Sequence, residues 1–554
     1  MLKIALLIHS NSLNNIESEF LNLAQQSDYY SVDLLIIQIN QSKESHSKPG
    51  ANFFNRVLLK FFNCIKALDR FYAKNYTLLK NSQEITSIQS LKIPHVIIKQ
   101  SSQLNTAFLS EAELVEVKKQ EIDIIASCYF TNAKNNFHLC SKIGLLEIYH
   151  GSNLNLGYTN QPIGFNEIQV KCPITSYDIL HNKERLPHSA PYSKGSIATV
   201  FPFILNKYRA ERKAMFFLHH YIQKLGKSIE PLHSNPTNSS LAHQSLPPIN
   251  QSVDSPPSLL SLIKYLYIFT LHGLHALHRK LLQSHGQWSV GFVRNNKSWR
   301  NINFTEMEII PNPSGHFLAD PFLYSFGHLD YCFVEDYSFT AKKGNIAAYL
   351  LDGNKIIDQG TVLDESFHLS YPNIFKVGED IFMIPETAEN KDIRIYRSAH
   401  FPSEWVLHKQ LMTDISAADT NVFYYQDRWW MFTNIDSSDI GDHCSELHIF
   451  YANSFDSNDW KPHSQNPVIT TALQARNAGC IIDEFGLYRA FQVQGYNFYG
   501  KSTGVAKINR LNPDEYSESI IQFIHPDFIA NIQGTHHIHF RNKMVAIDFF
   551  QNNI

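Results

Sequence analysis

Between Ala319 and Asp548 the chain repeats one plan five times, and this repetition restricts the fold more than any other feature of the sequence. Each block opens on a short polar segment, runs through a strand pattern, turns, and ends a second strand on a polar residue. The first block opens at Ala319-Asp320-Pro321-Phe322-Leu323 and reaches Phe333-Val334-Glu335. The second opens at Ser370-Tyr371-Pro372-Asn373-Ile374-Phe375 and reaches Ile384-Pro385-Glu386. The third runs from Ala418-Asp419-Thr420-Asn421-Val422-Phe423 to Phe432-Thr433-Asn434. The fourth runs from Ala475-Arg476-Asn477-Ala478-Gly479 to Arg489-Ala490-Phe491-Gln492, and the fifth from Gly534-Thr535-His536-His537 to Ala546-Ile547-Asp548. The starts lie about 50 to 60 residues apart, near the period of propeller blades. Blocks two and three also share a tail, Ile395-Tyr396-Arg397-Ser398 through Trp405 and Phe450-Tyr451-Ala452-Asn453 through Trp460. The pattern predicts an all-β five-bladed propeller over residues 285–554.

A propeller sets the innermost strand of each blade against a central channel. The block openings then supply Asp320, Tyr371, Asp419, Arg476 and His536, and the second-strand ends supply Glu335, Glu386, Asn434, Gln492 and Asp548. Any one of these residues alone reads as a strand cap. Ten at equivalent positions predict a pocket for a polyhydroxyl ligand. Arg476 and Arg489 suit the anionic oxygens of a phosphate or carboxylate. His368, His536 and His537 have the chemistry to bind phosphate or move protons. No His, Cys or carboxylate spacing is diagnostic of a metal, so a metal site is left open and no residue is assigned to one.

The rest of the chain reads differently. Residues 1–225 are α/β: short, β-branched apolar runs at Ile4–Ile8, Val32–Ile37, His95–Ile98 and Ile122–Ser127 suit buried parallel strands, with helical patterns at Glu17–Gln26 and Glu111–Lys119 between them. A basic, aromatic insertion, Asn52–Lys80, is helical by pattern, and a solvated helix packed by its aromatic stripe is favoured over a membrane or acidic partner. Residues 226–258 are rich in Ser, Pro, Asn and Gln and predict a flexible linker. The apolar stretch 259–284 carries Lys264, His272, His275, His278, Arg279 and Lys280 too densely for a membrane span, so an amphipathic helix docked on a domain is expected, with peripheral membrane contact as the alternative.

A formal charge of −3 argues against a general nucleic-acid binder, and 44% hydrophobic with 18% charged residues is ordinary globular composition. The 26 tyrosines and 38 phenylalanines suit β-structure first and sugar-facing surfaces second. Seven scattered cysteines without a CxxC pair predict neither a disulfide framework nor a zinc knuckle, and fit a reduced, cytoplasmic setting. Met1–Ser10 reads as a first strand and not a signal peptide, since no small-residue cleavage site follows it.

Two resemblances sharpen these expectations. Glu147-Ile148-Tyr149-His150-Gly151-Ser152, continuing to Gln161-Pro162-Ile163-Gly164, resembles the formyltransferase domain that uses formyl-tetrahydrofolate. That family carries Asn-x-His, a Ser two residues on and a Pro twelve residues after the His; His150, Ser152 and Pro162 match. Ile148 stands at the Asn position, and Ser193-Lys194-Gly195 falls where the family has Asp-x-Gly. The resemblance implies a Rossmann-type domain with His150 as a catalytic residue. The two departures remove the polarising amide and the carboxylate that orients the histidine.

The stretch Trp288–Phe550 resembles the amino-terminal domain of the glucosamine inositolphosphorylceramide transferase family, which also occurs in bacterial proteins behind formyltransferase-like domains. The motifs are Ala-Asp-Pro-Phe (319–322), His-Leu-Ser-Tyr-Pro (368–372), Met-Ile-Pro-Glu-Thr (383–387), Trp-Trp-Met-Phe (429–432), Ala-Arg-Asn-Ala-Gly (475–479), Tyr-Arg-Ala-Phe-Gln (488–492) and Tyr-Gly (499–500). The implied fold is similar to five-bladed glycoside hydrolase family 43 enzymes, which use a base Asp on blade one, an orienting Asp on blade three and an acid Glu on blade four. Asp320 and Asp419 match the first two. Blade four offers Arg476 and Asn477 and no carboxylate, which leaves Glu386 or Glu335 as the acid.

The expectation is a glycan-active transferase of cell-envelope polysaccharide or glycolipid synthesis, acting on a sugar, nucleotide-sugar or anionic glycan. Asp320 is then the base, Asp419 orients it and Glu386 serves as acid or sugar ligand. The alternatives are an N-formyltransferase of an amino sugar and a non-catalytic glycan-binding protein.

Overall fold

The computed structural model describes residues 1–8, 10, 12–40, 49–74, 76, 86–88, 91–100, 109–129, 136–150, 162–182, 193–227, 257–282, 286–294 and 298–551. Ser152 and nearly all of the expected linker, 228–256, lie outside the described residues. The chain divides into two units, Met1–Leu271 and His272–Ile554.

The first unit is built on a seven-stranded sheet: β1 (Leu2–Ile8), β2 (Tyr30–Asn40), β3 (His95–Gln100), β4 (Ile124–Ser127), β5 (Gly144–His150), β6 (Ile174–Asn182) and β7 (Ser193–Ala198), in the order β3-β2-β1-β4-β5-β6-β7. The helices are α1 (Asn15–Gln25), α2 (Pro49–Tyr72), α3 (Glu111–Lys118), α4 (Phe165–Gln169) and α5 (Phe203–Lys227), together with α6 (Leu259–Leu282), of which the part up to Leu271 belongs to this unit. Alternation along β1 explains why both sheet faces are covered. Ile4, Leu6 and Ile8 join a core with Phe20 of α1 and Leu218 of α5, while Ala5 and Leu7 join a second core with Val117 of α3 and Phe137. Helices α1 and α3 start on reciprocal capping boxes, Asn14 with Glu17 and Ser110 with Glu113.

The five strands β3, β2, β1, β4 and β5 are parallel, and they contain the apolar runs read as strands. β6 pairs antiparallel with β5, and β7 antiparallel with β6, so the sheet is mixed and β6 alone runs against the other six strands. Apolar runs mark buried strands but carry no direction, because direction is set by the crossovers between them.

The second unit consists of five sheets. Four are consecutive four-stranded meanders, beginning with His316–Phe326, Ser370–Val377, Ala417–Tyr425 and Asn477–Asp483. The fifth joins the two ends of the propeller sequence: Gln287–Val293 pairs antiparallel with Met544–Gln551, flanked by Glu308–Ile310, Ile532–Gly534 and Ile538–Arg541. This is a five-bladed propeller whose last blade is closed by its first strand.

The core sits between blades. Five apolar clusters fill the gaps between blades one and two, two and three, three and four, four and five, and five and one. The repeated tryptophan is explained by this packing. Trp405 of blade two is buried with Phe333 of blade one, and Trp460 of blade three is buried with Phe382 of blade two, so the same tail position seals the gap to the preceding blade.

Candidate active site

The innermost strands of blades one to three break register at the same place. Their pairing slips between Ala319 and Phe322, between Ser370 and Asn373, and between Ala418 and Asn421. The extra residues include Asp320, Tyr371 and Asp419, with φ of 49°, 49° and 48°. Left-handed backbone at three equivalent non-glycine residues is costly and re-aims the side chains out of the strand alternation. Blade four slips between Asn477 and Gly479, and there a glycine (φ 124°) takes the strained position. The second-strand residues are equivalent as well: Glu335 lies opposite Ala319, Glu386 opposite Ser370 and Asn434 opposite Ala418, while the Gln492 amide donates to the Arg476 carbonyl.

Nine of the ten predicted channel residues meet through two linked networks or stand beside them. In the first, Asp548 is the hub. Its Oδ1 accepts from the amides of His536 (3.0 Å) and His537 (2.8 Å), its Oδ2 accepts from the Asp320 amide (3.1 Å), and the same oxygen lies 2.8 Å from His536 Nδ1. His536 Nε2 lies 3.4 Å from Asp320 Oδ1. In the second, Arg476 grips Asp419 through Nε (2.5 Å) and Nη2 (3.1 Å) and reaches Glu386 Oε2 at 3.3 Å. Glu386 Oε2 also accepts from the Asp419 amide at 3.2 Å, and Gln492 Nε2 donates to Asp419 Oδ2 at 3.1 Å. The Tyr371 hydroxyl accepts from Asn421 Nδ2 at 2.8 Å, and its ring lies 5.0 Å from that of His537. Glu335 Oε1 stands 3.6 Å from His368 Nε2, and His368 Nδ1 accepts from the Gly344 amide at 2.9 Å, which puts the imidazole proton on the Glu335 side.

Asn434, the tenth, is spent on the backbone: its amide donates to the carbonyls of Glu446 and Ala475, both at 2.8 Å, and its oxygen accepts from the Asn477 amide at 2.8 Å. It straps blade three to blade four.

Five carboxylates and two cations are thus brought together, and their protonation follows. Burial pushes Asp320 up to about 7, against the pull of His536 and with Asp419 and Asp548 adding to the rise. Burial, followed by the fields of Asp320, Glu386, Asp419 and Asp548, holds Glu335 well above the usual carboxylate range, which favours its protonated form. Burial also raises Asp419, while the two-pronged arginine contact favours its ionised form. For Asp548 burial is outweighed by His536, which keeps it below its ordinary value, and His536 is raised in return. The cluster therefore holds an ionised His536–Asp548 pair beside a carboxyl poised near neutrality.

Two arginines differ from expectation. Arg476 is a partner of Asp419 and Glu386, so its charge is already balanced and it is not a free anion receptor. Arg489, read as a binder of anionic oxygens, is 1% exposed, ion-paired with Glu518 (2.5 Å), and donates to the Gln474 carbonyl (2.9 Å). It holds blade four together away from the axial cluster. The repeat pattern had no means to show Glu518, 29 residues on, as the partner of Arg489.

Sequence reasoning missed the aromatic wall. Trp288 lies 4.0 Å from the His536 ring, and Tyr499 lies 5.3 Å from His536 and 5.8 Å beneath the Arg476 guanidinium. The Tyr-Gly motif was the available signal. Gly500 has φ 68°, and a Cβ there would meet His536 Cβ at 2.7 Å, so only glycine lets this strand close against the histidine. Tyr499, at 40% exposure, and the half-buried Glu386 and His368 are where the cluster opens to solvent.

In the first unit, His150 ends β5 and neither ring nitrogen has a hydrogen-bond partner among the described residues. Burial, with Lys207 adding, drives its pKa down to about 3, so it is neutral. Ile148 is buried in the apolar core opposite Ile179, and Ser193-Lys194-Gly195 lies on β7 without a carboxylate. Among the described residues these groups do not make a complete donor set for formyl-tetrahydrofolate chemistry.

The family model described as glucosamine inositolphosphorylceramide transferase 1, N-terminal, matches residues 302–537, which contain every residue of the cluster except Asp548 and Trp288. A glucosamine inositolphosphorylceramide transferase 1 of Oryza sativa subsp. japonica is 35% identical over 232 residues, covering 40% of this chain and 31% of that protein. One of Arabidopsis thaliana is 30% identical over 273 residues, covering 43% of this chain and 34% of that protein. The chain spans about a third of the length of the curated relatives it matches. Among solved structures, a family 117 glycoside hydrolase of Zobellia galactanivorans aligns with 48% of this chain and 90% of its own at 10% identity and a TM-score of 0.32. The catalytic domain of a Coprinopsis cinerea GH62 α-L-arabinofuranosidase aligns with 48% and 97% at the same identity and score.

Proposed function

We propose that this protein is a transferase of glycolipid synthesis whose propeller binds a sugar-bearing ligand on the axial carboxylates, with Asp320 as general base. The observation that carries this reading is Asp320 held at about 7 beside the His536–Asp548 pair. A base of that strength takes a proton from an acceptor hydroxyl near neutral pH with little driving force lost. The hydroxyl oxygen then attacks the anomeric carbon while the bond to the leaving oxygen breaks. His536 positions Asp320, and Asp419, fixed by Arg476 and Gln492, supports the strained opening of blade three. Glu335, whose protonated form burial and the neighbouring carboxylates favour, is the acid assigned to a departing or hydrogen-bonded sugar oxygen in place of Glu386. The buried amide oxygens Asn421 Oδ1 and Asn477 Oδ1, which have no hydrogen-bond partner among the described residues, favour a polyhydroxyl ligand, because each costs about 1–3 kcal/mol if left unmet. The similarity to glucosamine inositolphosphorylceramide transferases over residues 302–537 supports the choice of glycosyl transfer to a lipid-linked acceptor. A reducing, cytoplasmic setting goes with it, since all seven cysteines are free thiols.

The test is turnover of the full chain with a panel of nucleotide-sugars and glycolipid acceptors, with ligand affinity measured in parallel. Asp320→Asn is expected to retain binding and lose turnover by a factor of about 10² or more. Full activity of this variant sinks the assignment, and saturable sugar binding with no product from any donor replaces it with a glycan-binding function. N-formylation of an amino sugar from formyl-tetrahydrofolate keeps one observation in its favour, the neutral, unpartnered His150 at the end of a strand. Calorimetry with a folate analogue decides it: no heat of binding removes it.

A further inference from the structure

The first unit carries an apolar face that the chemistry at the propeller does not use. Helices α2 and α6 pack on each other. The Tyr265 hydroxyl donates to Asp69 at 2.8–2.9 Å and accepts from the Phe203 amide at 2.9 Å, and Tyr72 meets Phe269 edge-on at 5.7 Å. Leu58, Phe62, Ile65 and Asp69 of α2, and Leu262, Tyr265 and Ile268 of α6, form the buried sides. The opposite sides are apolar too. On α6, Leu260 (77% exposed), Ile263 and Tyr267 (63%) follow one another at helical spacing. On α2, Val57, Leu68 and Phe71 (70%) stand in the open. Scattered exposed leucines are unremarkable, but exposed apolar side chains recurring along two helices that pack on each other are not.

Charge says what covers it. Arg56, Lys60 and Arg70 of α2 and Lys264 of α6 are exposed. The sole acidic residue of α2 is Asp69, buried against Tyr265, and α6 contains no Asp or Glu. On a chain of net charge −3 these two helices form a basic, apolar surface. We infer that α2 and α6 dock this unit onto an anionic lipid bilayer, lying in the interface with the exposed apolar side chains in the acyl boundary and the arginines and lysines at the phosphates. α6 is long and apolar enough to span by composition. Its commitment of Leu262, Tyr265 and Ile268 to the protein core makes it an interfacial helix instead. This inference rests on the first unit alone and stands or falls independently of the glycosyl-transfer reading.

The experiment is flotation of the full chain with vesicles of phosphatidylcholine alone and of phosphatidylcholine mixed equally with phosphatidylglycerol, at low and high salt. Binding to the anionic vesicles that falls with salt is expected. Ile263→Glu/Tyr267→Glu and Arg56→Glu/Lys60→Glu should each weaken partition, by roughly fivefold or more per substitution, with the thermal melt unchanged because these side chains are exposed. Three results would overturn it: equal binding to neutral vesicles, no vesicle binding by the folded parent chain, or a self-associated species that the same variants dissociate, which would assign the face to a second copy.

Discussion

Asp320→Asn tests the electrostatics of the cluster without any assay of function. Burial moves the Asp320 carboxyl from 3.8 to about 7. Between these values the native state keeps a proton that the unfolded chain has already released, so the parent protein loses stability as pH rises through the window and levels off above it. At about 1.4 kcal/mol per pKa unit, roughly three units correspond to about 4 kcal/mol over the whole range. Asparagine has no titration to lose. Relative to the parent, the variant should therefore gain roughly 3 kcal/mol between pH 5 and pH 8, less whatever His536 forfeits with its 3.4 Å partner. For the propeller this is a relative rise in melting temperature of several degrees, measurable by calorimetry or urea denaturation at the two pH values. The variant would be more stable above neutrality yet inactive, the pattern of a strained functional carboxylate. A difference between variant and parent that does not change with pH would show that Asp320 is ionised throughout, and would refute both the poised carboxyl and its role as base.

Other interactions give sharp outcomes of a different kind. Arg489→Met strands the buried Glu518 carboxylate and should cost about 3–5 kcal/mol in urea denaturation, with ligand affinity little changed because Arg489 stands off the axis. Asn434→Ala removes three hydrogen bonds, two of them between blades three and four, and should cost roughly 2–4 kcal/mol. Tyr265→Phe takes from Asp69 the donor that opposes its burial. Asp69 is held at about 7, so the loss should be larger at pH 8, where the carboxylate is charged, than at pH 5, about 1–3 kcal/mol against less.

The site was partly legible because the propeller repeats. Equivalent sequence positions become equivalent places on the axis, so Asp320, Asp419, Glu386, His536 and Asp548 could be grouped before any contact was known. The pattern could not say which of them would pair. Arg476 and Asp419 are 57 positions apart, and Asp320 and Asp548 are 228. Nor could it see Trp288, which reaches His536 because the chain closes the fifth blade with its own beginning.

The sequence by itself determined the five-fold period, the strand-ending polar residues, the inter-blade tryptophans and the parallel strands of the first unit, all of which follow from local alternation and spacing. Tertiary structure decided the rest: that β6 runs against the other six strands, that Arg489 serves Glu518, that Asn434 is a strap, and that burial raises Asp320 and Glu335 while His536 keeps Asp548 low. The physical reason is one of range. Hydrophobic periodicity is written within a few residues, whereas the charge a buried carboxyl carries depends on the solvent it has lost and on the partners the fold brings to within 4 Å from distant blades.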